Sequence, residues 1–170
     1  MANVQKISPC LWFDTQAEEA ARYYASIFKN SSVGAITHYG KEGFDIHGQP
    51  EGRVLTVNFV LDGVEFLALN GGPQFKFNEA VSLIVYCDSQ QEIDYFWDKL
   101  STGGDPNAQA CGWVKDKFGL SWQVVPATMR TFFEDSDSAG ARRAMEAMLH
   151  MKKIDVGALE RAYQGETVKA

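Results

Sequence analysis

Short blocks of apolar residues alternate with polar ones along most of this chain, and in two places the spacing changes from that of a strand to that of a helix. Residues 7–13 form an apolar run containing Pro9, whose missing N–H confines it to the start or the edge of a strand. From Ala17 the apolar positions become Ala17, Ala20, Ala21, Tyr24 and Phe28, one face of a helix. Thr15-Gln16-Ala17-Glu18 ahead of them reads as a capping box, in which hydroxyl and carboxylate satisfy exposed backbone donors. Residues 33–39 are a second strand, and residues 53–61 and 64–69 are two more, joined at Asp62-Gly63, a two-residue hairpin signal. Between them residues 40–52 are polar and glycine-rich, a loop long enough that it is either mobile or functional.

The same order then recurs. Residues 81–87 are an apolar strand, Ser89-Gln90-Gln91-Glu92 is a second capping box, and Ile93, Phe96, Trp97 and Leu100 repeat Ala17, Ala20, Ala21 and Tyr24 at a constant offset of 76 residues. After Gly103-Gly104, residues 111–126 read as two strands about a tight turn, with Gly119 supplying positive φ and Pro126 ending the second strand. This is an internal duplication of a strand, helix and strands unit. The remainder is helical, with Ala141, Ala144, Met145, Met148 and Leu149 on one stripe and a last helix capped by Asp155 and closed by Gly165. Such a tail is expected to cover a sheet or a partner subunit.

Composition narrows the function. With 45% hydrophobic and 22% charged residues the chain can bury a core. A net charge of -6 argues against nucleic acid, which needs a clustered positive surface. No run approaches the roughly 20 apolar residues that span a bilayer, and the first residues lack a secretory leader. A cytoplasmic protein with no membrane partner is expected. Cys10, Cys87 and Cys111 are widely spaced, without a Cys-x-x-Cys pair, and read as reduced thiols.

Two strand, helix and hairpin halves, with Asp116-Lys117-Phe118-Gly119 at the place of an Asp-Pro-Asp-Gly turn, resemble the vicinal oxygen chelate superfamily. That superfamily groups glyoxalase I, bleomycin-resistance proteins and extradiol dioxygenases. Ser82-Leu83-Ile84-Val85, Glu92 to Leu100, Gly103-Gly104, Cys111-Gly112-Trp113 and Ser121-Trp122-Gln123-Val124-Val125-Pro126 are similar to its PhnB-like branch, often labelled 3-demethylubiquinone-9 3-methyltransferase. The resemblance implies an α+β fold in which two tandem βαβββ modules form a curved sheet around a cavity, with a C-terminal helical tail. It implies one domain over residues 1–170, with module 1 at about 5–75, module 2 at about 78–127 and the tail at 128–165. It also implies a homodimer, in some members with swapped modules.

Metal-dependent members of the superfamily place four ligands in the cavity, and those positions fall near Pro9, within Phe66-Leu67-Ala68-Leu69, at Ser82 and at Gln123. Three of the four lack a ligand side chain, so no metal is expected there. His38, His47, Asp45, Glu42 and Glu51 lie in or beside the long loop without a recognisable ligand spacing, and His150 reads as a surface or interface residue. Neither glycine pair, Gly71-Gly72 nor Gly103-Gly104, follows a strand and opens a helix, as a loop for S-adenosylmethionine would; no cofactor is expected.

Strand alternation assigns Leu11, Phe13, Phe66, Ala68, Asn70, Ser82, Ile84, Tyr86, Ser121 and Gln123 to the cavity wall, with Trp113 beside them. Gln123 and Ser82 would hydrogen-bond a ligand, and Trp12, Trp113 or Trp122 would stack on a flat one. Cys111 is the candidate for a reactive residue. The expected function is metal-free binding of a small molecule in the cavity of a homodimer. The alternatives are a methyltransferase or a glyoxalase- or lyase-type enzyme, and a structural dimer whose cavity is filled by its own side chains.

Overall fold

In a computed structural model, residues 5–134 and 138–166 are described. The chain divides into two compact units, Met1–Lys76 and Phe77–Ala170. The start of the opening segment, read above as lacking a leader, lies outside the described residues. Among them, no helix is long and apolar enough to cross a membrane.

The first unit runs β1 (Cys10–Phe13), α1 (Ala17–Ile27), β2 (Ser32–His38), α2 (Phe44–His47), β3 (Val54–Leu61) and β4 (Val64–Asn70). Its sheet has the order β1-β4-β3-β2, with β1 parallel to β4 and the other pairs antiparallel. The first strand is shorter than the apolar run: Ile7 is exposed, and Pro9 contributes only its carbonyl, which accepts from Leu67 N at 3.0 Å. Asp62 and Gly63 both have positive φ, 46° and 81°, the backbone of a turn whose twist matches that of its strands.

α1 buries Ala17, Ala20, Ala21, Tyr24 and Ile27 against the sheet. Ile27 replaces the expected Phe28, which has left the helix with extended backbone. The capping box is not formed. Gln16 is the N-cap residue and its side chain caps none of the helix donors, accepting instead from Thr15 N at 3.2 Å; Asn70 Oδ1, at the end of β4, accepts from Ala17 N at 2.8 Å. A distant strand thus supplies the oxygen that the local motif was expected to provide, satisfying a donor that the helix leaves open. The long loop is ordered around α2, where the His47 ring packs on Tyr39 at 4.7 Å and Nδ1 accepts from Gln49 N at 3.0 Å.

The second unit runs β5 (Ser82–Cys87), α3 (Gln90–Ser101), a 3-10 turn (Pro106–Ala108), β6 (Trp113–Lys115), β7 (Ser121–Pro126), α4 (Met129–Glu134), α5 (Ala139–Leu149) and α6 (Val156–Gln164). The sheet order β5-β7-β6, with β5 parallel and β6 antiparallel to β7, repeats β1-β4-β3 of the first unit. The counterpart of β2 is reduced to the 3-10 turn and a single bridge between Ala110 and Trp113. Here the capping box holds: Ser89 Oγ accepts from Glu92 N at 3.2 Å, and the Glu92 carboxylate reaches back to Asp88 N at 2.9 Å. Ile93, Trp97 and Leu100 of α3 are buried.

Backbone pairing, and not only apolar packing, fixes the tail to this unit. Cys111 N and Gly112 N donate to the Met151 and Lys152 carbonyls, each at 2.8 Å. The Gln90 side chain donates to Ile154 O at 3.1 Å and accepts from Val156 N at 2.8 Å. Lys153 pairs with Asp94 at 2.6 Å, and Ile154 is fully buried. Asp155 caps α6 through Ala158 N, and Gly165 closes it at φ 81°. The apolar stripe of α5 is buried only at Ala141 and Ala144, while Met145 and Leu149 are exposed.

Candidate functional site

Each sheet has one face under a helix and one face free of it, and the register decides which side chains lie where. In the first unit Phe59 stands between Tyr24 of α1, at 6.4 Å, and Phe66, at 5.3 Å. Phe66 therefore faces the helix. Ala68 and Asn70 follow it at alternate positions, and Leu11 and Phe13 are in register with Ala68 and Asn70. All five are buried. The assignment of Leu11, Phe13, Phe66, Ala68 and Asn70 to a cavity wall is thus corrected: they form the core between sheet and helix.

The reason is a phase error of one residue, which moves every side chain of a strand to the other face. The face opposite α1 carries Cys10, Trp12, Thr56, Asn58, Leu67 and Leu69. A signal for this is present in β3, where Thr56 and Asn58 alternate with Val57, Phe59 and Leu61. Carried through the two-residue turn, that alternation pairs Phe66 with Phe59 and Ala68 with Val57.

In the second unit the face opposite α3 carries Ser82, Ile84 and Tyr86 from β5, Ser121 and Gln123 from β7, and Trp113 and Lys115 from β6. Ile84 and Tyr86 are 46% and 48% exposed. Gln123 Nε2 donates to Ser82 Oγ at 2.9 Å. Lys115 pairs with Glu79, and that hydrogen bond holds the Glu79 carboxyl below the usual carboxylate range. Ser121, the cross-strand neighbour of Lys115, is buried on this side. Arg130, at the start of α4, lies with its guanidinium 5.6 Å from the centre of the Tyr86 ring.

Trp122 belongs to the other face. It is buried, and its Nε1 donates to Asp116 Oδ2 at 2.8 Å, so it is not available to stack on a ligand. Trp12 is committed too, donating to Gly72 O at 2.8 Å and meeting Phe75 edge-on at 4.9 Å. Of the three tryptophans considered for stacking, Trp113 stands on the same face as Gln123.

The three thiols are free. Burial, with Glu92 and Asp88 nearby, pushes Cys87 up to about 12, and burial raises Cys10 as well. Both are kept as thiols at neutral pH, the unreactive form. Cys111 has a left-handed backbone, φ 51°, and its Sγ is directed to Leu149 O at 3.8 Å. It serves the joint with the tail, its N–H bonded to Met151 O.

The metal and cofactor that the resembled proteins imply can be tested against these groups. On the open face of β5 and β7 the donors are a hydroxyl and a carboxamide bonded to each other, and the open positions of β1 and β4 are Cys10, Trp12, Leu67 and Leu69. Taken separately, neither group of side chains holds a carboxylate or imidazole, and neither fits a divalent ion. Among the described residues no three His, Cys, Asp or Glu side chains gather into a metal-binding group. The glycine pairs do not fit an adenosyl cofactor. A Cβ at Gly71 would overlap the Trp12 ring, and one at Gly104 would overlap the Lys115 carbonyl, so the protein itself occupies the space these glycines leave.

A family model described as 3-demethylubiquinone-9 3-methyltransferase matches residues 5–125. No curated protein matches. Among solved structures, a putative 3-demethylubiquinone-9 3-methyltransferase, PhnB protein, from Bacillus cereus is 34% identical over 71% of this chain and 99% of its own, with a TM-score of 0.61. Protein PA1353 from Pseudomonas aeruginosa is 20% identical over 72% of this chain and 98% of its own, with a TM-score of 0.54, a likeness of fold.

Proposed function

The chain belongs to the 3-demethylubiquinone-9 3-methyltransferase (PhnB) family, and on that premise we propose that it is a metal-free homodimer that binds a small molecule against the face of its second sheet opposite α3. The observation that carries this reading is the Ser82–Gln123 pair set beside the half-exposed Ile84 and Tyr86. A few polar groups fixed within an apolar and aromatic wall are the usual composition of a ligand site. The exposed Met145 and Leu149 of α5 offer apolar surface for pairing of chains. The name of the Bacillus cereus relative provides a second reading, methyl transfer; the filled glycine turns speak against it.

Native mass spectrometry tests the assembly and the metal together. Twice the chain mass of 18.9 kDa with no added ion is expected; a monomer, or one tightly held ion per chain, would reject that part of the reading. Thermal shift against metabolites, antibiotics and S-adenosylmethionine tests the rest, since a ligand of the native state raises the melting temperature. Stabilisation by S-adenosylmethionine would restore methyl transfer, and no response to any compound would favour a face filled by protein. For a compound found this way, Gln123→Leu should weaken binding about tenfold through loss of one hydrogen bond while the chain stays folded. Unchanged affinity would remove Gln123 from the site.

A further inference from the structure

The cations on this face are not equivalent. Lys115 is neutralised by Glu79. Arg130 is exposed and takes part in none of the ion pairs found among the described residues, and its neighbour is the Tyr86 ring. In a chain of net charge -6, a guanidinium held over an aromatic face, with no ion pair to a carboxylate among the described residues, is open to an anion. A planar fork of N–H donors matches a carboxylate in particular. The separation of Tyr86 from the polar pair follows from the register. Ile84 is paired with Gln123 and Tyr86 lies two positions further along β5, which places the Tyr86 backbone about 8 Å from that of Gln123 for ordinary strand spacings. The apolar and aromatic side chains Ile84 and Tyr86 on β5 suit a flat ring, and Trp113 stands on the other side of Gln123.

Arg130 also lies outside the part of the chain shared with the family, whose model ends at residue 125. Its backbone is set by α4, which follows directly on β7 after Ala127 N bonds to Cys87 O at 2.8 Å. The charge is thus contributed by the tail and not by the part of this chain that the family model matches.

Resting on the binding reading above, we propose that the ligand is a small aromatic carboxylate, its ring against Ile84 and Tyr86, its carboxylate on Arg130, and its far polar edge at Gln123 and Ser82. Arg130 is then the specificity-determining residue of this chain.

Matched pairs of acid and amide test this without knowing the natural ligand. Binding of indole-3-acetate and indole-3-acetamide, and of benzoate and benzamide, is measured by ligand-observed NMR titration on the full chain. In the wild-type protein each acid should bind about tenfold more tightly than its amide. Arg130→Gln should remove that difference by weakening the acids and leaving the amides unchanged. Equal affinity of acid and amide in the wild type would overturn the carboxylate assignment and leave the binding face standing. Absence of binding by all four would overturn both. The native mass of Arg130→Gln is measured alongside; a change from dimer to monomer with no change in acid preference would assign the face to a second copy of the chain and overturn the proposal.

Discussion

Asp116→Ala should destabilise the protein by about 4 kcal/mol, enough to remove a large part of the stability of a domain of this size. Asp116 is 2% exposed and sits between β6 and β7. Its Oδ1 accepts from Phe118 N at 2.9 Å and from Leu120 N at 3.0 Å, and its Oδ2 accepts from Trp122 Nε1 at 2.8 Å. Each bond has an ionic acceptor, worth about 1.5 to 3 kcal/mol, and alanine would leave buried donors with nothing to bond. The turn depends on the same residue through its backbone, since Asp116 O accepts from Gly119 N and Asp116 N donates to Leu120 O. The substitution Asp116→Asn should not restore stability, because one of the two carboxylate oxygens is replaced by an NH2 group that faces an N–H. Urea unfolding followed by tryptophan fluorescence measures the effect, and a loss below about 1 kcal/mol for Asp116→Ala would show that the turn is held by its backbone and glycine alone.

Asn70→Leu should cost about 3 kcal/mol, and it separates a structural role from the binding role that strand alternation assigns to this residue. Asn70 is 2% exposed. Its Oδ1 accepts from Ala17 N at 2.8 Å and its Nδ2 donates to Val54 O at 3.0 Å, so one amide ties the start of α1 to β3 and β4. Leucine has similar volume and satisfies neither group. Loss of a helix cap costs about 1 kcal/mol, and a buried carbonyl left open costs about 1 to 3. Asn70→Asp should restore the bond to Ala17 N and lose the one to Val54 O, placing it between wild type and leucine. Denaturant midpoints order the three proteins. If Asn70→Leu were as stable as wild type and instead lost affinity for a ligand, Asn70 would return to the binding face.

These two residues also mark how much of the molecule is legible in the chain. Asp116 stands in a local turn whose glycine and flanking apolar runs are visible in the sequence, and the structure places β6 and β7 around it. Asn70 lies 53 residues from the helix it caps. Thr15-Gln16-Ala17-Glu18 offers a local motif for the same donor, and nothing local shows that the strand wins. The second capping box forms because Ser89 itself adopts the extended backbone that an N-cap requires, whereas the backbone of Gln16 does not.

For the site the division is similar. On β5, both faces read as apolar from residue 83 to residue 87, and the phase comes from Gln123. On β4, alternation within the strand alone puts Phe66, Ala68 and Asn70 on the wrong side, although β3 carries a polar alternation that fixes it. The fate of Trp122 and Trp12 is not legible at all, because their partners Asp116 and Gly72 are chosen by the fold. Nor is that of Arg130: one of four arginines after Pro126, it has no meaning until Tyr86 is found beneath it.

By itself the chain determined the duplicated order of strands and helices, the hairpin at Asp62-Gly63, the helix faces repeated at an offset of 76 residues, and the ends of the tail helix at Asp155 and Gly165. Those features come from the spacing of apolar residues and from backbone preferences that act over a few positions. Tertiary structure alone decided which tryptophans are committed to the protein's own groups, and that Gln90 and the Cys111-Gly112 backbone hold the tail. Those choices depend on donors and acceptors far apart in sequence, and a buried polar group is satisfied by whichever partner the packed chain brings within reach.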